Sequence, residues 1–76
     1  MSPAEIKLLI ESGIEGAVAN VRSDDNVHFE AEILSTAFAG KRTIARHQMV
    51  YDVLGNRIGN EIHALSMRTV TPDEVA

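Results

Sequence analysis

The apolar positions change period along the chain, and each change predicts an element. Ile6, Leu9 and Ile10 share one side of a helix while Lys7 and Glu11 point away from it. Ser2-Pro3-Ala4-Glu5 supplies the start: the Ser2 hydroxyl can accept from the Glu5 N–H, the Glu5 carboxylate can reach back, and Pro3 suits a first helical position. Gly13 and Gly16 end the helix. Two segments of period two follow, about Ala17 to Arg22 and Val27 to Leu34, and the turn-rich Ser23-Asp24-Asp25-Asn26 between them predicts a hairpin. In the second segment Val27, Phe29, Ala31 and Ile33 face one way and His28, Glu30 and Glu32 the other. One sheet face is therefore packed and the other wet.

After Leu34 the pattern shifts. Ser35 to Gly40 reads as a short helical turn closed by glycine, and a long helix is predicted from near Lys41 or Arg42 to about Arg57. At about 100° per residue, Ile44, His47, Val50, Tyr51, Leu54 and Ile58 form its apolar stripe, with Ala45, Met49 and Val53 on a second flank. The last period-two run, Ile62 to Val70, sets His63, Leu65 and Met67 on one side and Ala64, Ser66 and Arg68 on the other. Thr71-Pro72-Asp73-Glu74 predicts a short terminal helical turn capped by Thr71. The order is α-β-β-α-α-β, and a last strand reached through a helical crossover joins the hairpin in parallel. This is an α+β fold, a three-stranded mixed sheet with helices packed on one face.

Length and composition narrow the function. The 76 residues allow one domain, spanning 1–76, that buries roughly 60% of the surface its unfolded chain exposes. A deep catalytic pocket is not expected. The chain has no cysteine, which removes disulfides, thiol catalysis and any iron–sulfur site made by this chain alone. Metal could be held only by histidine and carboxylate, or jointly with a partner. No nucleophile elbow, Walker loop or dinucleotide fingerprint occurs, so the chain reads as a non-enzyme. No stretch approaches the ~20 apolar residues of a membrane span, and the first residues lack the basic start and apolar run of a secretory signal; a cytoplasmic protein is expected.

Seven Lys and Arg against eleven Asp and Glu leave a net charge of −4, which disfavours non-specific attraction to nucleic acid. Lys41, Arg42 and Arg46 nevertheless cluster at the start of the long helix and form a candidate phosphate contact. Met49 and Val53 make an apolar flank suited to core packing or to a protein contact. Gly13-Ile14-Glu15-Gly16 has the spacing of a nucleic-acid clamp, but its inner Ile and Glu would not hold a phosphate backbone. Of the three histidines, His47 lies in the apolar stripe and reads as a core or boundary group. His28 sits on the wet face just past the turn, and His63 opens the last strand at a rim where a neutral imidazole nitrogen could face outward. Strict alternation sets His28 and His63 on opposite sides of the sheet.

Phe38-Ala39-Gly40, Arg46-His47-Gln48-Met49-Val50-Tyr51, Ile62-His63-Ala64-Leu65 and Thr71-Pro72-Asp73-Glu74 together resemble the BolA family. Its members carry F-x-G, R-H-x-x-V-Y, I/V-H-A-L and T-P-x-E in this order and at about this spacing. The resemblance runs from His28-Phe29 to the C-terminus and implies an arrangement similar to a class II KH fold without the clamp loop. It also implies two activities of different class. One is partnership with a monothiol CGFS glutaredoxin, with a shared [2Fe–2S] cluster in iron–sulfur trafficking or iron regulation; glutaredoxin and glutathione would supply thiolates and this chain imidazole. The other is DNA binding as a transcriptional regulator of stress response and cell morphology. His63 matches the family's C-terminal ligand histidine. The family's second ligand is a Cys or His in the hairpin loop, where Arg22 to Val27 has neither, and His28 is the nearest candidate. The resemblance places partner contact on Arg46, Met49, Val53 and His63, and DNA contact on Lys41, Arg42 and Arg46.

Overall fold

Helix α1 (Pro3–Gly13) begins as its capping box requires: the Glu5 N–H donates to the Ser2 hydroxyl at 3.3 Å, and the Ser2 N–H donates to the Glu5 carboxylate at 3.0 Å. The computed structural model describes residues 1–75. After α1 come the hairpin strands β1 (Val18–Arg22) and β2 (His28–Leu34), then a 3-10 turn at Thr36–Phe38. Helix α2 (Thr43–Leu54) continues into a 3-10 turn at Gly55–Arg57, and β3 (Ala64–Val70) and a short α3 (Pro72–Val75) complete the order. β1 pairs antiparallel with β2 and β2 pairs parallel with β3, so the crossover through α2 returns the chain to the far side of β2. The mixed three-stranded sheet expected from the pattern is the one observed.

β2 shows why one face is covered. Phe29, Ala31 and Ile33 are buried while His28 and Glu30 are exposed, as period two requires. The buried set packs with Ile6 and Ile10 of α1, Phe38, Val50 and Leu54 of α2, and Ile62 into one apolar core. The other sheet face carries charge: Arg22 meets Glu30 and Glu32 at 3.3 and 3.5 Å, and Arg68 meets Glu32 at 3.4 Å. Such exposed pairs add little stability each.

Lys7 and Glu11 leave the apolar face of α1 but do not end in solvent. The Lys7 ammonium donates to Ala19 O at 2.7 Å, and Glu11 accepts from Ala19 N at 2.9 Å, while the two side chains pair with each other at 2.7 Å. The main-chain groups of a buried β1 residue are thereby satisfied by α1.

Helix α2 is turned from the predicted stripe. Ile44 is 81% exposed and Tyr51 37%, whereas the buried positions are Arg46, Val50 and Leu54, spaced by four. Counting Arg46 as a solvent-facing charge rotates the expected face away from the true one. Val53, expected on a partner-facing flank, instead packs against α1: a Cβ placed on Gly13 would lie 2.6 and 2.7 Å from its two methyl carbons. Gly13→Ala is therefore expected to destabilise by about 1–3 kcal/mol despite alanine's better helix propensity. Urea unfolding should show the loss, and adding Val53→Ala should make the Gly13→Ala step nearly neutral; an unchanged penalty would place the crowding elsewhere. Among the described residues, no helix is long and apolar enough to cross a membrane.

Candidate functional site

Two histidines meet at the N-terminal ends of β2 and β3. His28 is the first residue of β2 and stands opposite Ala64 in the parallel register. His63 lies in a bend between the Ile58–Ile62 bridge and β3. Ile62 is fully buried, His63 and Ala64 are both exposed, and Leu65 is half-buried, so two successive residues face out. The cause is a doubled hydrogen bond: His63 N and Ala64 N both donate to Val27 O, at 2.8 and 3.1 Å. That local break in the ladder acts as a bulge and reverses the alternation upstream of it. The expectation that His28 and His63 lie on opposite sides is thus corrected. Their ring centroids are 5.3 Å apart with planes at 73°.

The hairpin turn orders His28. One oxygen of Asp25, Oδ1, accepts from Val27 N at 3.0 Å and from His28 N at 2.9 Å, and the other, Oδ2, lies 2.7 Å from His28 Nδ1. The Ser23 hydroxyl donates to His28 O at 2.6 Å and accepts from Asn26 N at 2.9 Å. Asn26 takes the left-handed conformation, with φ 60°, that asparagine tolerates better than most residues. The His28 N–H, then the His28 ring and the Val27 N–H, hold the Asp25 carboxyl well below the usual carboxylate range. Beside the pair opens a hollow of about 540 Å³ lined by Arg22, Asp25, His28, Glu30, Ala64 and Ser66.

Two imidazoles alone are too few donors to enclose a metal ion. Among the described residues no group of three or more His, Cys, Asp or Glu side chains is arranged to hold a metal ion. Two neighbouring imidazoles on an exposed rim suit part of a coordination shell whose remainder comes from elsewhere. His47 is half-buried on α2.

The basic cluster divides. Lys41 and Arg42 are exposed, but Arg46 is 9% exposed and its donors are used inside the protein. Nε donates to Lys41 O at 2.9 Å, Nη1 to Thr69 O at 3.1 Å and to Glu74 Oε1 at 2.7 Å, and Nη2 to Glu74 Oε2 at 2.8 Å. The guanidinium carbon sits 5.9 Å from the centre of the Phe38 ring. The expected roles of Arg46 at DNA and at a partner surface are therefore corrected: a guanidinium spent on a bidentate carboxylate and two carbonyls has little left for a phosphate. Met49 and Val53 are half-buried against the core, which reduces the apolar flank expected to face a partner. Helix α2 instead exposes Ile44 and Tyr51.

Glu74 completes this internal junction by also accepting from Thr71 N at 3.0 Å. The Arg46 guanidinium, followed by the Thr71 N–H, lowers its carboxyl from the ordinary 4.5 to about 2. A folded value below the unfolded one gives stability that is present above about pH 4.5 and lost as pH falls toward 2. Glu74→Gln should accordingly be less stable than the parent at pH 6, and the gap should narrow through that window. A gap independent of pH in paired denaturation curves would contradict the assignment.

Comparison with known proteins follows the same residues. A model of the BolA-like protein family matches residues 1–74. The chain is 36% identical over 72 residues to a Vibrio cholerae protein named DNA-binding transcriptional regulator BolA, a match covering 95% of this chain and 64% of that protein. It is 35% identical over 79 residues to SufE-like protein 1, chloroplastic/mitochondrial, of Arabidopsis thaliana, across 99% of this chain and 21% of that one. It thus spans less than two thirds of the length of either relative. The solved structure of a bolA protein homologue from Coxiella burnetii superposes with a TM-score of 0.88 at 38% identity, covering 99% of this chain and 96% of that one.

Proposed function

This chain belongs to the BolA family, and from that membership we propose that it binds a monothiol CGFS glutaredoxin and lends His63 and His28 to a [2Fe–2S] cluster carried by the pair. The single observation that supports the reading is the meeting of the two rings, 5.3 Å apart, on an exposed rim. A chain without cysteine can contribute only imidazole, and the thiolates come from glutaredoxin and glutathione. Imidazole in place of thiolate on one iron raises the cluster's reduction potential. His63, Met49 and the exposed part of α2 form the contact surface. The chain acts as a binding module and not as an enzyme.

Mixing the chain with a cluster-loaded CGFS glutaredoxin is expected to change the visible absorption and circular dichroism of the cluster. His63→Ala should remove that change. A spectrum that stays the same on adding the unaltered chain would end this reading.

A second reading, DNA binding, is favoured by the name of the Vibrio cholerae relative and by the exposure of Lys41 and Arg42. With Arg46 engaged internally, two basic contacts on a chain of net charge −4 give a salt slope of only about −2. Lys41→Ala should flatten it by about one contact. Affinity that does not vary with salt would remove this alternative.

A further inference from the structure

We infer that Asp25 is a positioning residue that fixes the His28 ring in its Nδ1–H form and leaves Nε2 as the lone pair available beside His63. The inference rests on the cluster-sharing reading and deepens it, because it supplies a second imidazole where the hairpin turn itself offers no ligand. An ionised carboxylate has no proton to give, so the 2.7 Å contact between Asp25 Oδ2 and His28 Nδ1 requires the ring nitrogen to be the donor. A metal-binding imidazole oriented through its other nitrogen by a carboxylate is a recurrent arrangement. The orientation is built in rather than adventitious. Oδ1 of the same carboxylate is held by two main-chain N–H groups, those of Val27 and His28. Val27 in turn gives its carbonyl to His63 N and Ala64 N, so one peptide ties the carboxylate, the ring it orients and the backbone of the second histidine.

Asp25→Asn separates this role from a merely structural one. Two backbone donors demand an acceptor at the Oδ1 position, so the amide oxygen must stay there and the amide nitrogen must face His28 Nδ1. The turn is kept and the hydrogen bond to the ring is reversed. Two-bond ¹H–¹⁵N correlation spectra of the chain alone, recorded well above the usual imidazole pKa of about 6.5, read the ring form directly. His28 is expected as Nδ1–H in the parent and as Nε2–H in Asp25→Asn, with His63 unchanged. Titration with cluster-loaded glutaredoxin, followed by circular dichroism, should show a 10–100-fold weaker cluster-bearing complex for Asp25→Asn, and no further loss when Asp25→Asn is added to His28→Ala.

An Nε2–H ring at His28 in the parent overturns the inference without recourse to any variant. So does an Asp25→Asn protein that binds as tightly as the parent while His63→Ala still abolishes the signal; that outcome leaves the cluster-sharing reading standing. Cluster spectra indifferent to both His63→Ala and His28→Ala overturn the reading and the inference together.

Discussion

Phe38→Ala is expected to lower the unfolding free energy by about 3–5 kcal/mol. A chain of this length has roughly 4–11 kcal/mol in all, so the variant should be partly unfolded under mild conditions. The ring is fully buried in the apolar core, carried on the 3-10 turn whose Ala37 N–H donates to the Ser35 hydroxyl. Alanine would leave a cavity in the buried apolar core that includes Phe38 and would remove the aromatic face beneath Arg46. Urea unfolding followed by far-ultraviolet circular dichroism measures the change. Phe38→Leu, which keeps much of the apolar volume, should lose markedly less. An alanine variant as stable as the parent would mean that the core closes around the gap.

Arg46→Ala should have the next largest effect. The substitution strands the Glu74 carboxylate, Thr69 O and Lys41 O at a site where the guanidinium is nearly enclosed. The cost falls mainly on the carbonyl of buried Thr69, which is left without this side-chain partner, while the half-exposed Glu74 carboxylate keeps part of its access to water. The loss should clearly exceed that of Arg22→Ala on the open sheet face, where exposed pairs contribute about 0–1 kcal/mol. Arg46→Lys should fall between parent and alanine, since an ammonium restores the charge and not the two-pronged geometry. Thermal unfolding of the three variants gives the ranking. If Arg46→Ala melts with the parent but fails to bind a partner or DNA, the side chain acts at the surface after all.

These two residues also mark where the sequence was readable. The start of α1 and the alternation of β2 follow from short-range rules, since a capping box and a period of two involve only near neighbours. That the last strand joins in parallel with one hairpin strand was legible, because a helical crossover returns the chain in the same direction; which of the two strands it pairs with was not. The phase of α2 was not, and the reason is specific: Arg46 is buried at the same four-residue spacing as Val50 and Leu54, and its partner Glu74 is 28 positions away. Reading 46, 50 and 54 as one stripe with a buried cation would have been the available signal. The histidine pair escaped for a similar reason. Nothing local to Ile62-His63-Ala64 announces that two consecutive N–H groups will converge on Val27 O, and that long-range bond decides which side His63 takes. The motif series was legible as a pattern, but the division of labour within it was not: Phe38, Arg46 and Glu74 hold one another, and His63 is left to face outward.

The ion pair of Lys7 and Glu11 against Ala19 has a consequence for how copies of this chain behave in crowded solution. An edge strand with idle amides invites another edge to add, and repeated addition leads to fibrils. Here a newcomer seeking Ala19 must first displace contacts of 2.7 and 2.9 Å. α1 thus serves as a stopper at that one residue, and Lys7→Ala together with Glu11→Ala should bare the Ala19 amide and carbonyl to an incoming strand.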